Sequence, residues 1–338
     1  MNSDALLLHR NEYYFPHSPR VRALLENPTP AGWVSTYATR DTLDAFIQEL
    51  ANALELPTEH ITLYHGAEDA LFKILSWAAG HRMTVYTTGL GWAEYMRMMQ
   101  GLELNIMQTA LASSALEYSH PQKQFEQALY QAESKSLVLL ASPNNPTGHD
   151  PSVAELIRLA KLFPQHIFLV DRVYTEFSKE TFGPLSTCSN VITLGSFSKY
   201  FGLPGLRVGF AIGPTPAVQS MALGPSPWAL HICQAALLDR DFYAKHWDIM
   251  KNVAQTLQQM ESSAGQFLKT SAPFVLFRCS KNVSEEDLKW AQQHSKIVGK
   301  IITTSPSLQI RWSLGSPEAF QRISSCIRNI EIRLTETQ

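Results

Sequence analysis

From about residue 41 the chain alternates helical periodicity with short runs rich in apolar and β-branched residues, and this alternation constrains its fold more than any other feature. Such a pattern is the signature of a parallel sheet whose strands are joined by crossover helices. Leu43, Phe46, Ile47, Leu50 and Leu54 recur at helical spacing, ITLYH (61–65) reads as a strand, and AEDALFKILSWAAG (67–80) as the next helix. MTVYTT, a helix from Trp92 to Met99, LELNIMQ, a helix around Phe125 to Ala132, SLVLLASP, a helix 152–163 and HIFLVDR follow in order. NVITLGSF (190–197) and LRVGFAIG (206–213) are nearly continuous in apolar residues, as strands buried on both faces are. One long helix from about 228 to 262 is then expected to lead into a smaller α+β unit. That unit holds PFVLFRC, a helix 284–295, a short strand near Ile301, LQIRWSL and a terminal helix 317–334. The domain reading is therefore an arm over residues 1–35 that joins the small domain, a large domain over 36–235 and a small domain over 236–338.

With 338 residues, 45% of them hydrophobic, the chain has enough material for two cores. Its 28 basic and 30 acidic residues nearly cancel, which argues against a nucleic-acid or anionic-membrane partner and toward a small polar one. Cys188, Cys233, Cys279 and Cys326 are far apart, with no CxxC pair to suggest zinc or a disulfide framework. Neither a signal peptide nor a membrane span is legible, so a cytoplasmic location is expected. The spacing of His65, His149 and His231 does not suggest metal ligation either.

The chemistry concentrates in SFSKYFGLPGLRVGF, residues 196–210. A lysine at a strand end, Lys199, can form an imine with an aldehyde cofactor. Ser196 and Ser198 can donate to an anion, and Arg207, brought back by a turn at Gly202 and Gly205, can contact a phosphate. Asp171 follows the apolar strand HIFLV, where open α/β sheets bind ligands; alone it would read as a helix N-cap. A carboxylate there can keep a pyridine nitrogen protonated, and Tyr174 is near enough to reach the ring's phenolic oxygen. SPNNPTG (142–148) offers asparagine amides on a turn, and HGAED (65–69) would point the backbone N–H groups of Ala67 and Glu68 from a helix N-terminus at an anion.

Taken together, NNPTG, D-x-x-Y and S-x-S-K-x-x-G-L-x-G-L-R resemble the class I/II aminotransferases of pyridoxal 5'-phosphate (PLP) fold type I, closest to their histidinol-phosphate aminotransferase-like branch. The resemblance spans nearly the whole chain and implies a large domain with a mostly parallel seven-stranded sheet between helices, plus a small α+β domain. It makes Lys199 the Schiff-base lysine and proton carrier, with Asp171 on the pyridine nitrogen, and Asn145 and Tyr174 on the ring oxygen. Ala67, Glu68, Ser196, Ser198 and Arg207 would hold the phosphate. Trp92 in GLGWAEY falls where an aromatic covers the ring, although it could equally be a core residue. Tyr37 would reach the phosphate of a neighbouring subunit, which implies a homodimer. Arg311 in LQIRWSL is the candidate for a substrate carboxylate. In the arm, where Asn11 and Glu12 match an N-E pair of the family, Tyr13 and Tyr14 either contact substrate or pack the arm against the body.

Three segments depart from the family pattern. Arg172 and Val173 replace the usual residues between the aspartate and tyrosine, Pro273 replaces an asparagine, and KIITTSPS lacks a second arginine expected before Arg311. Amino-group transfer between an amino acid and a 2-oxo acid is the reading that follows. Decarboxylation of a phosphorylated amino acid, or an elimination or cyclisation, needs only a different bond set perpendicular to the ring. A non-catalytic ligand-binding protein on the same fold is a further alternative, weakened by the retention of Lys199, Asp171, Asn145, Tyr174 and Arg207.

Overall fold

The structure, a computed structural model, describes residues 5–27, 35–178, 181–213, 224–304 and 307–336. Parts of the expected arm, 1–4 and 28–34, lie outside the described residues. The central sheet has seven strands: β1 (Ile61–Tyr64), β2 (Thr84–Thr88), β3 (Asn105–Thr109), β4 (Leu137–Ala141), β5 (Ile167–Asp171), β6 (Val191–Ser196) and β7 (Gly209–Ile212). Their order across the sheet is β1-β7-β6-β5-β4-β2-β3, and β7 alone runs antiparallel to its neighbours. Side chains alternate between two cores, as the period of a strand requires. Leu137 and Leu139 of β4 join Leu71, Ile74 and Leu75 of the helix Ala67–Gly80 on one face. Val138 and Leu140 join Leu156 and Leu159 of the helix Val153–Leu162 on the other. Burial on both faces is what made these strands read as unbroken apolar runs.

A four-stranded antiparallel sheet, in the order Gly265–Phe267, Phe274–Cys279, Ser307–Ser313 and Lys300–Thr304, forms the second layer system with the helices Glu285–His294 and Ala319–Glu336. The amino-terminal arm attaches to this unit. Leu6–Leu7 pairs in parallel with Ile297–Val298, and Ser313 donates its N–H to the Leu8 carbonyl at 2.8 Å.

Two expectations need correction. The single helix expected over 228–262 is two helices, Pro227–Leu238 and Arg240–Gln258, divided at Asp239. The Asp239 carboxylate turns to the start of the helix Pro19–Glu26, accepting from Arg20 N at 3.1 Å and Arg20 Nε at 2.9 Å. No glycine or proline marks the break, so local sequence does not announce it. The strand expected from Leu206 begins instead at Gly209, because Pro204–Leu206 forms a 3-10 turn and Arg207 takes a left-handed conformation with φ 52°. Arg207 is thereby turned out of the sheet toward the strand ends.

Gly209 has a steric role. A Cβ at this position would lie 2.3 Å from Ala67 N and 2.4 Å from Gly66 C, so β7 can approach the junction between β1 and its following helix only without a side chain. Gly209→Ala is expected to destabilise the fold by about 1–3 kcal/mol through overpacking. Urea unfolding would register this as a lower midpoint with an unchanged slope.

Candidate active site

The carboxyl ends of the parallel strands open on one edge of the sheet, where open α/β sheets bind ligands. Asp171 closes β5 and Ser196 closes β6, with Ser198 and Lys199 in the turn beyond it. Asn145 follows β4, Trp92 follows β2, and Ala67 begins the helix after β1. These residues, with Glu68, Tyr174, Arg207 and Arg311, line a cavity of about 820 Å³.

At one end lies an anion cradle. The helix Ala67–Gly80 starts at Gly66, which has φ +84° and no side-chain cap, so its first N–H groups are left to other partners. Arg207 reaches across this start, its Nη2 3.2 Å from Glu68 Oε2. A Cβ on Gly66 would come within 2.9 Å of Arg207 Nη2 and fill the space between them. Ser196 Oγ accepts from Ser198 N at 3.0 Å and lies in the same wall.

At the floor is Asp171, 7% exposed, whose hydrogen-bond partners are both neutral. Oδ2 accepts from the Tyr95 hydroxyl at 2.5 Å and Oδ1 from Val173 N at 3.1 Å. Burial pushes its carboxyl up from the usual range, opposed by Tyr95, Val173 and the charge of Lys199. A buried anion of this kind is suited to a cationic ring nitrogen.

Above it, Lys199 Nζ donates to the carbonyls of Arg10 at 3.2 Å and Asn11 at 3.4 Å and lies 5.9 Å from the centre of the Tyr174 ring. The Tyr174 hydroxyl accepts from Asn11 Nδ2 at 2.8 Å, which leaves its own proton free to be donated. Arg311, 3% exposed, gives its guanidinium to Asn145 Oδ1 and to the His9 carbonyl, over the face of Phe274 at 5.3 Å. Asn145 keeps its amide N–H groups for the cavity. An anion cradle, a buried carboxylate and a lysine amine along one cavity fit a phosphate-bearing pyridine aldehyde.

Comparison with known proteins agrees with this arrangement. The family described as "Aminotransferase class I and II" matches residues 3–284. The chain is 26% identical over 345 residues to histidinol-phosphate aminotransferase 1 of Psychrobacter arcticus, covering 97% of this chain and 88% of that one. Its fold is that of histidinol-phosphate aminotransferase from Sinorhizobium meliloti in complex with pyridoxal-5'-phosphate, with TM-score 0.80 and 21% identity over 99% and 92% of the two chains. L-threonine-O-3-phosphate decarboxylase from Porphyromonas gingivalis shares it too, with TM-score 0.73 and 19% identity over 98% and 99%.

Some sequence-marked residues fall elsewhere. Tyr13 and Tyr14 do not line the cavity. The Tyr13 hydroxyl meets His246 Nδ1 at 2.5 Å within a cluster of Phe15, Tyr243 and Trp247, and Tyr14 bonds to the Leu7 carbonyl and Glu12. Tyr13 packs the arm against the body, exposed Tyr14 bonds within the arm, and residues 9–11 line the cavity. Tyr37 is 78% exposed and absent from its own chain's cavity. Pro273 also lies off the cavity, its carbonyl accepting from Leu314 N at 2.9 Å. The second cation sought in KIITTSPS is a lysine at its first position: Lys300 stands opposite Arg311 in strand register and lines the same cavity. Burial and Arg311 both lower its pKa. Sequence reading also passed over Tyr95, since nothing local shows that its hydroxyl meets a residue 76 positions away.

Arg172, one of the departures from the family pattern, is fully buried away from the cavity, with Nε donating to Thr175 Oγ1 at 2.6 Å and its guanidinium 5.8 Å from the centre of the Phe182 ring. Glu176 lies near it. Burial pushes the Glu176 carboxyl up to about 7, although Arg240 and Arg172 both pull it down. Between its ordinary value of 4.5 and about 7, folded Glu176 holds a proton that the unfolded chain has released, so its contribution to stability falls as pH rises through that window. In Glu176→Gln this contribution is absent, so thermal melts at pH 4.5, 5.5 and 7 are expected to show the parent losing stability relative to the variant as pH rises.

Proposed function

Because the chain belongs to the aminotransferase class I and II family, we propose that it moves an amino group between an amino acid and a 2-oxo acid, with PLP held in the cavity by Lys199. The observation that carries this reading is the meeting of Lys199, Asp171, Arg207 and Arg311 in the lining of one cavity. When bound, PLP supplies an aldehyde for the amine and a protonated ring that withdraws electrons from the substrate's Cα. Asp171 would keep the ring nitrogen protonated, and Trp92 would cover the ring face. Tyr174 and Asn145 would donate to the ring oxygen. The N–H groups of Ala67 and Glu68, the hydroxyls of Ser196 and Ser198, and Arg207 would hold the phosphate. Lys199 Nζ, at the cavity's centre, would take the proton from the substrate's Cα and deliver it to the cofactor's aldehyde carbon.

Substrate orientation falls to Arg311. Its planar guanidinium, already steered by Asn145 and the His9 carbonyl, would grip the α-carboxylate bidentately. Exposed Tyr37 would reach the phosphate in a second copy of the chain, which makes the working form a homodimer with shared sites. No helix among the described residues is long and apolar enough to cross a membrane, and the four cysteines are free and buried. Both facts support a cytoplasmic enzyme.

A second reading, decarboxylation of a phosphorylated amino acid, is favoured by Lys300. Two adjacent cations at positions 300 and 311 can serve an amino acid that carries a second anionic group.

Borohydride treatment of the yellow holoenzyme is expected to fix the cofactor on the peptide containing Lys199; labelling of another lysine would refute the assignment. A panel of amino acids should then yield 2-oxo acid without carbon dioxide, the opposite result marking a decarboxylase. Arg311→Ala is expected to cost about 1.5–3 kcal/mol in kcat/KM toward carboxylate substrates, roughly ten- to a hundredfold. Mixing Tyr37→Ala with Lys199→Ala should restore part of the activity through hybrid dimers; full activity of Tyr37→Ala alone would rule out the shared site.

A further inference from the structure

We propose that Tyr95 is a positioning residue: its phenol, donated to Asp171, fixes the direction of the carboxylate that faces the cofactor's ring nitrogen and sets how strongly that carboxylate holds the ring proton. The proposal rests on the reading that PLP occupies the cavity.

Geometry supplies the first support. Tyr95 Oη lies 2.5 Å from Asp171 Oδ2, and Val173 N lies 3.1 Å from Oδ1, so one fixed donor holds each carboxylate oxygen. Each oxygen retains a further lone pair. The plane of the carboxylate is thus locked, with acceptor capacity left for the ring nitrogen. Tyr95 is itself held in place. It is 6% exposed in the core that includes Leu71 and Leu139, and it meets the Trp92 ring edge-on at 5.5 Å and 88°. Gly91 packs so closely that an added Cβ would lie 3.2 Å from Tyr95 Cδ2. A single buried side chain therefore keeps the floor carboxylate in register with the indole expected to cover the ring.

The chemistry of the donor supplies the second. An arginine or lysine beside Asp171 would steady the carboxylate but cancel its charge and weaken its hold on the ring proton. A phenol steadies it while remaining neutral. Burial and the Asp171 charge push the Tyr95 hydroxyl well above its usual range, so it stays a donor at neutral pH. Its hydrogen bond in turn opposes the burial that would otherwise protonate Asp171. The remaining charged group facing this carboxylate is Lys199, from the turn after β6.

The test compares binding of PLP with binding of its 1-deaza analogue, in which a CH replaces the ring nitrogen, followed by quenching of tryptophan fluorescence. Tyr95→Phe is expected to weaken PLP about tenfold, the loss of one hydrogen bond to a charged group, and to leave the 1-deaza analogue within about twofold. In an Asp171→Asn background the same change should no longer distinguish the two ligands. Equal weakening of both ligands, or of neither, overturns the proposal. Should Tyr95→Phe fail to fold by circular dichroism, 3-fluorotyrosine placed at position 95 must shift the ratio of the two affinities, and an unshifted ratio overturns it as well. Parent protein that binds neither ligand refutes the cofactor reading itself, and the proposal with it.

Discussion

A sheet buried on both faces can present polar chemistry only where its strands stop. Leu137, Leu139, Ile167 and Leu169 pack into one core while Val138, Leu140, Phe168 and Val170 pack into the other, so a polar group inside the sheet is costly unless it is paired. Because β2 to β6 run parallel, their carboxyl ends open on the same edge. Trp92, Asn145, Asp171, Ser196, Ser198 and Lys199 are therefore delivered to that edge, by segments distant in sequence and adjacent in space.

Electrostatics then divides the cavity. At the phosphate end the charges are balanced in advance, with Arg207 paired to Glu68 and an uncapped helix start beside them. At the floor, Asp171 is a buried anion whose hydrogen-bond partners are neutral. On the substrate side Arg311 is a buried cation whose hydrogen bonds go to the neutral oxygens of Asn145 and His9, and Lys300 stands across from it with the same sign. Two regions of opposite unbalanced charge, separated by a lysine amine, favour a guest that is cationic at one end and anionic at the other.

The parts legible in the sequence were those that depend on short-range pattern. Strand ends could be placed from apolar runs, and with them Asp171, Ser196, Lys199 and Asn145, since each lies within a few residues of its strand. The helix break at Asp239 was not legible, because its cause is a carboxylate drawn to Arg20 across the fold, whereas propensity along LLDRDF is continuous. The two readings of Tyr13 could not be separated in sequence for a similar reason: only the fold shows its hydroxyl turned toward His246. Lys300 was missed because only strand register sets it opposite Arg311, and Tyr95 because its partner Asp171 comes from a strand distant in sequence.

The arm has a mechanical consequence. Leu6–Leu7 is hydrogen-bonded to Ile297–Val298, Leu8 to Ser313, and Tyr14 to Gly315, so the arm is stitched at both ends to the smaller unit that carries Arg311. Between those stitches, the carbonyl of His9 receives Arg311, while Arg10 and Asn11 reach over to Lys199 and Tyr174 on the larger unit. The arm thus links the sheet that carries Arg311 to the residues around Lys199. The carboxylate grip and the roof above the lysine are therefore held by one short segment, His9 to Asn11.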